Sequence, residues 1–223
     1  MQAELPADRP LRSLLVDFIA PVPPGPARIA ARSARQGRSL SHAEARVQVD
    51  GQDCVVALGA FGSDRPSRLS LPGQARPALP APETLPAFPY LEGITPRFTR
   101  HFEYRWTPEV LPFSGADQAI VGGWIRPLLP GPVDPAMVLA LLDAWPAPVL
   151  SLLRAPAPAS TVTWMVDLHS APPPQGWPEQ GWWYFAGETR AAGAGYADIS
   201  GRIWSPDGAL VASSRQLVAE FSA

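Results

Sequence analysis

The hydrophobic pattern of this chain is mostly that of β-strands, with one apolar run that reads as a helix. The stretch Ser160-Thr-Val-Thr-Trp-Met-Val-Asp-Leu-His169 has the β-branched and aromatic content of a buried strand. A weaker copy lies upstream as Ser13-Leu-Leu-Val-Asp-Phe-Ile-Ala20. Both copies run into proline-rich turns, Pro21-Val-Pro-Pro24 and Pro172-Pro-Pro174. The echo predicts a duplicated fold.

Read in order, Met1 to Leu5 resembles the end of a helix stopped by Pro6. Strands are predicted over Leu11 to Ile19, Ala27 to Arg35, Ser39 to Val49 and Gln52 to Phe61. The last two are joined by the hairpin signal Asp50-Gly51. The first half therefore reads as a four-stranded meander. Residues 63–96 carry eight prolines and little periodicity, which excludes regular helix or sheet. They read as a linker packed along a surface through Phe88, Tyr90 and Leu91.

Strands resume over Phe98 to Trp106 and Ala119 to Arg126. Asp134 as N-cap and Pro135 at the first helical position then mark a helix. Ala136-Met-Val-Leu-Ala-Leu-Leu142 is apolar on nearly every side and predicts a buried helix, ending around Asp143 to Pro146. Four strands follow: Thr161 to His169, Gly181 to Arg190, Gly195 to Ser205, and Leu210 to Phe221. The last two are joined at Asp207-Gly208. The halves match at Val16-Asp17-Phe18 with Val166-Asp167-Leu168, which sets Leu11 on Thr161, at Arg46-Val47 with Arg202-Ile203, and at the two Asp-Gly turns, which set Gly59 on Gln216. Domain boundaries are expected at 1–62 (first half), 63–97 (linker) and 98–223 (second half).

Composition narrows the chemistry. The chain has no Lys, which excludes a Schiff-base or P-loop lysine. The net charge of -2 with scattered Arg argues against nucleic acid as a partner. The single Cys54 sits in an apolar run and reads as a small core residue. His42, His101 and His169 lack metal-ligand spacing, so no metal or cofactor is expected. There is no G-x-S-x-G elbow for a serine nucleophile. Gly193-Ala-Gly195 is too short for a dinucleotide fingerprint. Trp177, Trp182, Trp183 and Trp204 read as core or dimer surface. Residues 136–153, the most apolar segment, are broken by Asp143 and two prolines and make a poor membrane span. No signal peptide is visible, and a cytoplasmic protein is expected.

Two segments carry a family likeness. Arg35-Gln-Gly-Arg-Ser-Leu-Ser41 resembles the "RxGRSxS" segment of thioesterase II type (TesB-like) acyl-CoA thioesterases. Asp207-Gly-Ala-Leu-Val-Ala-Ser-Ser-Arg-Gln216 resembles that family's "DGxLVAStxQ" ending. The resemblance implies an α+β double hotdog, two antiparallel sheets each wrapping a central helix. Against that pattern the first hotdog lacks its N-terminal strand and helix. It also implies a catalytic set of Asp143, Thr161 and Gln216, acting on an acyl-CoA without a cofactor. An apolar tunnel would hold the acyl chain, and Arg side chains at its mouth the phosphates. The first half, with Leu11 and Gly59 in the matching slots, is expected to hold no second centre. Its uncovered apolar face predicts a homo-oligomer. A different class remains open: a non-catalytic acyl-CoA-binding or assembly protein of the same fold.

Overall fold

The alternating segments pair into one sheet, and the apolar run becomes the helix that covers it. The computed structural model describes residues 1–6, 8–170 and 176–222. In chain order the strands are β1 (Leu11–Phe18), β2 (Arg28–Gln36), β3 (Leu40–Val49), β4 (Gln52–Gly62), β5 (Phe102–Trp106), β6 (Ile120–Pro127), β7 (Ala159–Leu168), β8 (Trp183–Gly193), β9 (Tyr196–Trp204) and β10 (Leu210–Glu220). The α-helix among the described residues is α1, Pro135–Asp143. Helical turns of the 3₁₀ type occupy Gln2–Glu4, Pro82–Thr84, Arg97–His101 and Pro148–Leu152.

All ten strands belong to a single antiparallel sheet in the order β2-β3-β4-β1-β7-β10-β9-β8-β6-β5. The two antiparallel sheets expected are continuous with one another through the junction of β1 with β7. The first half is not a simple meander either. β1 leaves β2 and pairs with β4 on one side and β7 on the other. That position suits its apolar run, because a central strand is covered on both edges.

The order is mirrored about the β1·β7 junction, with β1, β4, β3, β2 matched by β7, β10, β9, β8. The register agrees residue by residue with the duplication read from the sequence. Leu14 faces Gly59 in β4, and Trp164 faces Gln216 in β10. Both copies break register at one point, leaving Arg12 extra in β1 and Val162 extra in β7. Leu15 pairs with Met165, its own counterpart, so the local two-fold axis passes between them.

The core lies between α1 and the concave face of the second half. Val138, Leu141 and Leu142 pack there with Trp145, Trp164, Val166, Trp183, Phe185 and Ile203. The helix is not buried all round, as its composition implied. Ala136, Ala140 and Asp143, spaced four and three residues apart, form an exposed stripe on one side of it. The apolar segment Pro135–Leu152 is not a continuous helix: α1 stops at Asp143, and a 3₁₀ turn follows at Pro148.

Other sequence readings shift in detail. The strand expected from Phe98 begins at Phe102, because Arg97–His101 form a 3₁₀ turn behind Pro96. In the linker, Phe88 does pack inward against Trp106, with ring centroids 5.2 Å apart. Tyr90 and Leu91 stay exposed. The linker is held mainly by its earlier part, which covers a second apolar cluster of Trp124, Tyr184 and Trp204 with Leu79 and Leu85. The Trp204 indole donates to the Gln74 carbonyl at 2.8 Å, and the Trp124 indole to the Pro80 carbonyl at 3.0 Å. Trp177, Trp183 and Trp204 are all buried, as is Cys54. The turn read at Pro172 to Pro174 lies outside the described residues.

Candidate active site

α1 begins and ends on identifiable contacts. Asp134 caps it by accepting the Met137 amide at 2.9 Å, and Pro135 occupies the first turn. Asp143 is its last residue, and Trp145 follows at once in an aromatic cage. The Trp145 ring lies stacked on Phe185 at 5.4 Å and edge-on to Tyr104 at 5.2 Å and Trp106 at 5.4 Å. The Tyr104 hydroxyl donates to the Ala144 carbonyl at 3.0 Å. A helix end leaves carbonyls without intrahelical partners, and this contact satisfies one of them. The cage and the hydroxyl together fix the chain on the C-terminal side of Asp143.

The amide of Gln216, reaching up from β10, donates to Oδ1 of Asp143 at 3.1 Å. These residues are 73 positions apart, so the fold brings them together. Asp143 keeps a solvent-accessible edge on the open stripe of α1, while protein mass crowds its other side. That desolvation pushes its pKa up to about 6, and the Gln216 hydrogen bond pulls in the opposite direction. The negative end of the helix dipole also disfavours a carboxylate here. An acid poised near neutrality, with an open edge, can accept a proton from water.

Thr161 lies near Gln216 by strand register. In β7 it faces Val218, two residues beyond Gln216, and the register puts all three on the helix side of the sheet. It is half-buried, and no side-chain hydrogen bond joins it to Asp143 or Gln216 among the described residues. In the first half, Gly59 occupies the Gln216 position. A Cβ there would come 2.6 Å from the Phe61 ring, so no side chain fits without displacing it.

The sequence reading missed Tyr104 and the aromatic cage. Tyr104 lies 40 residues before the carbonyl it holds. Its only local signal was alternation within a strand, which does not report a partner. Among the described residues no three His, Cys, Asp or Glu side chains gather as a metal site. His42 lies in β3 and His101 in a 3₁₀ turn, while His169 follows β7 and bonds the Ser213 hydroxyl at 2.8 Å.

A curved antiparallel sheet wrapped on a helix, doubled about a local two-fold axis, defines a double-hotdog protein. The chain belongs to the acyl-CoA thioesterase family: the family's N-terminal domain matches residues 1–62 and its C-terminal domain residues 76–219. Among solved structures, a hotdog-fold protein of unknown function from Alicyclobacillus acidocaldarius is 28% identical, with a TM-score of 0.86 over 96% of this chain and 80% of that one. The acyl-CoA thioesterase II TesB2 of Mycobacterium marinum is 20% identical, with a TM-score of 0.75 over 97% and 82%. A thioesterase II from Thermobifida fusca is 22% identical, with a TM-score of 0.78 over 95% and 79%. At these last identities the likeness is one of fold. No curated protein matches the chain.

Proposed function

We propose that this chain hydrolyses an acyl-CoA to a free acid and coenzyme A. Asp143 takes a proton from a water molecule held by Gln216 and Thr161. The water oxygen then bonds to the thioester carbonyl carbon, and negative charge passes to the carbonyl oxygen. Collapse of that intermediate breaks the carbon–sulfur bond. The sulfur leaves with the electron pair and takes the proton held by Asp143, which gives the free thiol and restores the carboxylate. No covalent enzyme intermediate and no cofactor are needed.

The contact of Gln216 with Asp143 carries this reading, because it joins a raised-pKa acid to an amide at an open helix end. Replacing Asp143 by Ala is expected to lower turnover of acyl-CoAs by about 10³-fold, the range of a lost general base. Circular dichroism should show the fold retained. Turnover equal to the parent would sink the assignment.

One observation favours the second reading, a protein that binds acyl-CoA without hydrolysing it. Thr161 makes no hydrogen bond to the Asp143–Gln216 pair among the described residues. Calorimetric binding of acyl-CoAs with no release of thiol would select that reading.

A further inference from the structure

The outer face of the sheet, opposite α1, carries an open groove over the junction of β1 with β7. Its volume is about 610 Å³, and it spans β4, β1, β7 and β10. Side chains alternate across a sheet. Leu14, Val16, Trp164 and Gln216 point to the helix side, so Leu15, Asp17, Met165, Arg215 and Leu217 point outward into the groove. Leu15, Leu58, Met165 and Leu217 are each between 37% and 46% exposed. They stand on four adjacent strands and form a continuous apolar patch, a surface that soluble chains usually cover with a partner.

The charges in this patch limit what can cover it. Asp17 stands exposed in the groove, and no side chain pairs with it among the described residues. A purely apolar occupant would leave that carboxylate desolvated and alone, so the occupant brings a cation. The same face holds one. Arg215 donates through Nε and one terminal nitrogen to the two oxygens of Asp198, at 2.9 and 2.8 Å. Its other terminal nitrogen has no acceptor among the described residues, and its side chain is 68% exposed. Arg46, on the opposite flank, is already divided between Glu44 and Asp53.

Register fixes where the two charges lie. Asp17 pairs with Thr163, and Arg215 with Met165, while the local two-fold axis passes between Leu15 and Met165. By strand spacing and residue rise, Asp17 and Arg215 are each about 7 Å from that axis, on opposite halves of the molecule. A second two-fold axis, lying in the face and crossing the first, therefore exchanges their positions.

We infer that this face docks a second copy of the chain, outer face on outer face, with Asp17 of each copy on Arg215 of the other. Leu15 and Met165 of the two copies meet at the centre. Burial of the patch drives the association, and the charge pairs set its register. Because the two kinds of axis cross, the units of both copies stand in a closed dihedral arrangement. Arg215 and Leu217 flank Gln216 in β10, so this strand gives one face to the interface and the other to the candidate site.

The test is sedimentation velocity on the full chain and its charge-reversed variants. The parent should associate at micromolar concentration. Asp17→Arg and Arg215→Glu should each weaken association by about tenfold or more, because like charges then face each other. The double variant restores opposite charges across the interface and should return to within about threefold of the parent. A monomeric parent, single variants that associate as the parent does, or a double variant as weak as the singles would each overturn the inference. Crosslinking decides if a charge variant does not fold. Stacked sheets lie about 10 Å apart, so Met165, beside the new axis, meets its own copy, whereas the two copies of Glu188 are more than about 20 Å apart. With a bis-maleimide of about 10 Å span, Met165→Cys should give a linked dimer and Glu188→Cys none. The native Cys54 is buried and takes no part. No link from Met165→Cys, or equal links from both positions, would overturn the inference.

Discussion

At the scale of single residues, the proposed chemistry turns on one acid and the amide bound to it. Burial raises the Asp143 pKa to about 6, so its carboxylate form is scarce below that pH. A base must be deprotonated to work. Turnover should therefore rise with pH through an inflection near 6 and level off above it. Gln216 opposes the shift by donating to the carboxylate. Replacing Gln216 by Leu should move the inflection upward and lower the plateau by about 10²-fold. An inflection that stays in place in a pH–rate profile of the variant would show that the amide does not act on the acid. The expectation of a single centre also rests on one residue, because the Phe61 ring occupies the space beside Gly59, where the second half has Gln216.

At the scale of elements, α1 and its exit position the acid. Tyr104 holds the Ala144 carbonyl from a buried site, and burial pushes its hydroxyl pKa upward. Tyr104→Phe should cost about 1 kcal/mol, a typical net hydrogen bond. In a chain of this length that lowers the melting midpoint by about 2–4 °C in a thermal scan. An unchanged midpoint would mean that the aromatic cage alone fixes the helix end. The limits of α1 were legible because Asp134 and Pro135 are local start signals and the apolar run ends at Asp143. The strand pairs around Asp50-Gly51 and Asp207-Gly208 were legible for the same reason, and superposing those turns gave the match of Gly59 with Gln216. The central place of β1 was not legible: its pairing with β7 joins residues far apart in sequence, and no local pattern records it. The open side of α1 was hidden by alanines, which look apolar whether covered or not. Thr161 could be placed on its strand, but its distance from the pair could not be read from spacing.

At the scale of the whole molecule, one sheet carries two copies of a unit, and α1 covers the second. The concave face of the first copy carries Ala31, Ala45, Val47, Val55 and Ala57 by register, and self-association is expected. Light scattering at micromolar concentration should give a mass above that of a single 23.9 kDa chain; a monomer would refute this. The linker shows a different kind of organisation. Three of its attachments run from side chains of the sheet to carbonyls of the linker: Trp204 to Gln74, Trp124 to Pro80, and Arg105 to Pro82. Trp204→Phe removes one of them and should speed proteolytic cleavage within residues 63–86, while an unchanged cleavage rate would show the packing of Leu79 and Leu85 to suffice. Every residue type offers a carbonyl, so the three acceptor positions carry almost no sequence information. At these three contacts the specification rests on the donors. Substitutions at Gln74 and Pro80 should be nearly silent, whereas the two tryptophans facing them should tolerate almost none: two neighbouring surfaces, one free to drift and the other held in place.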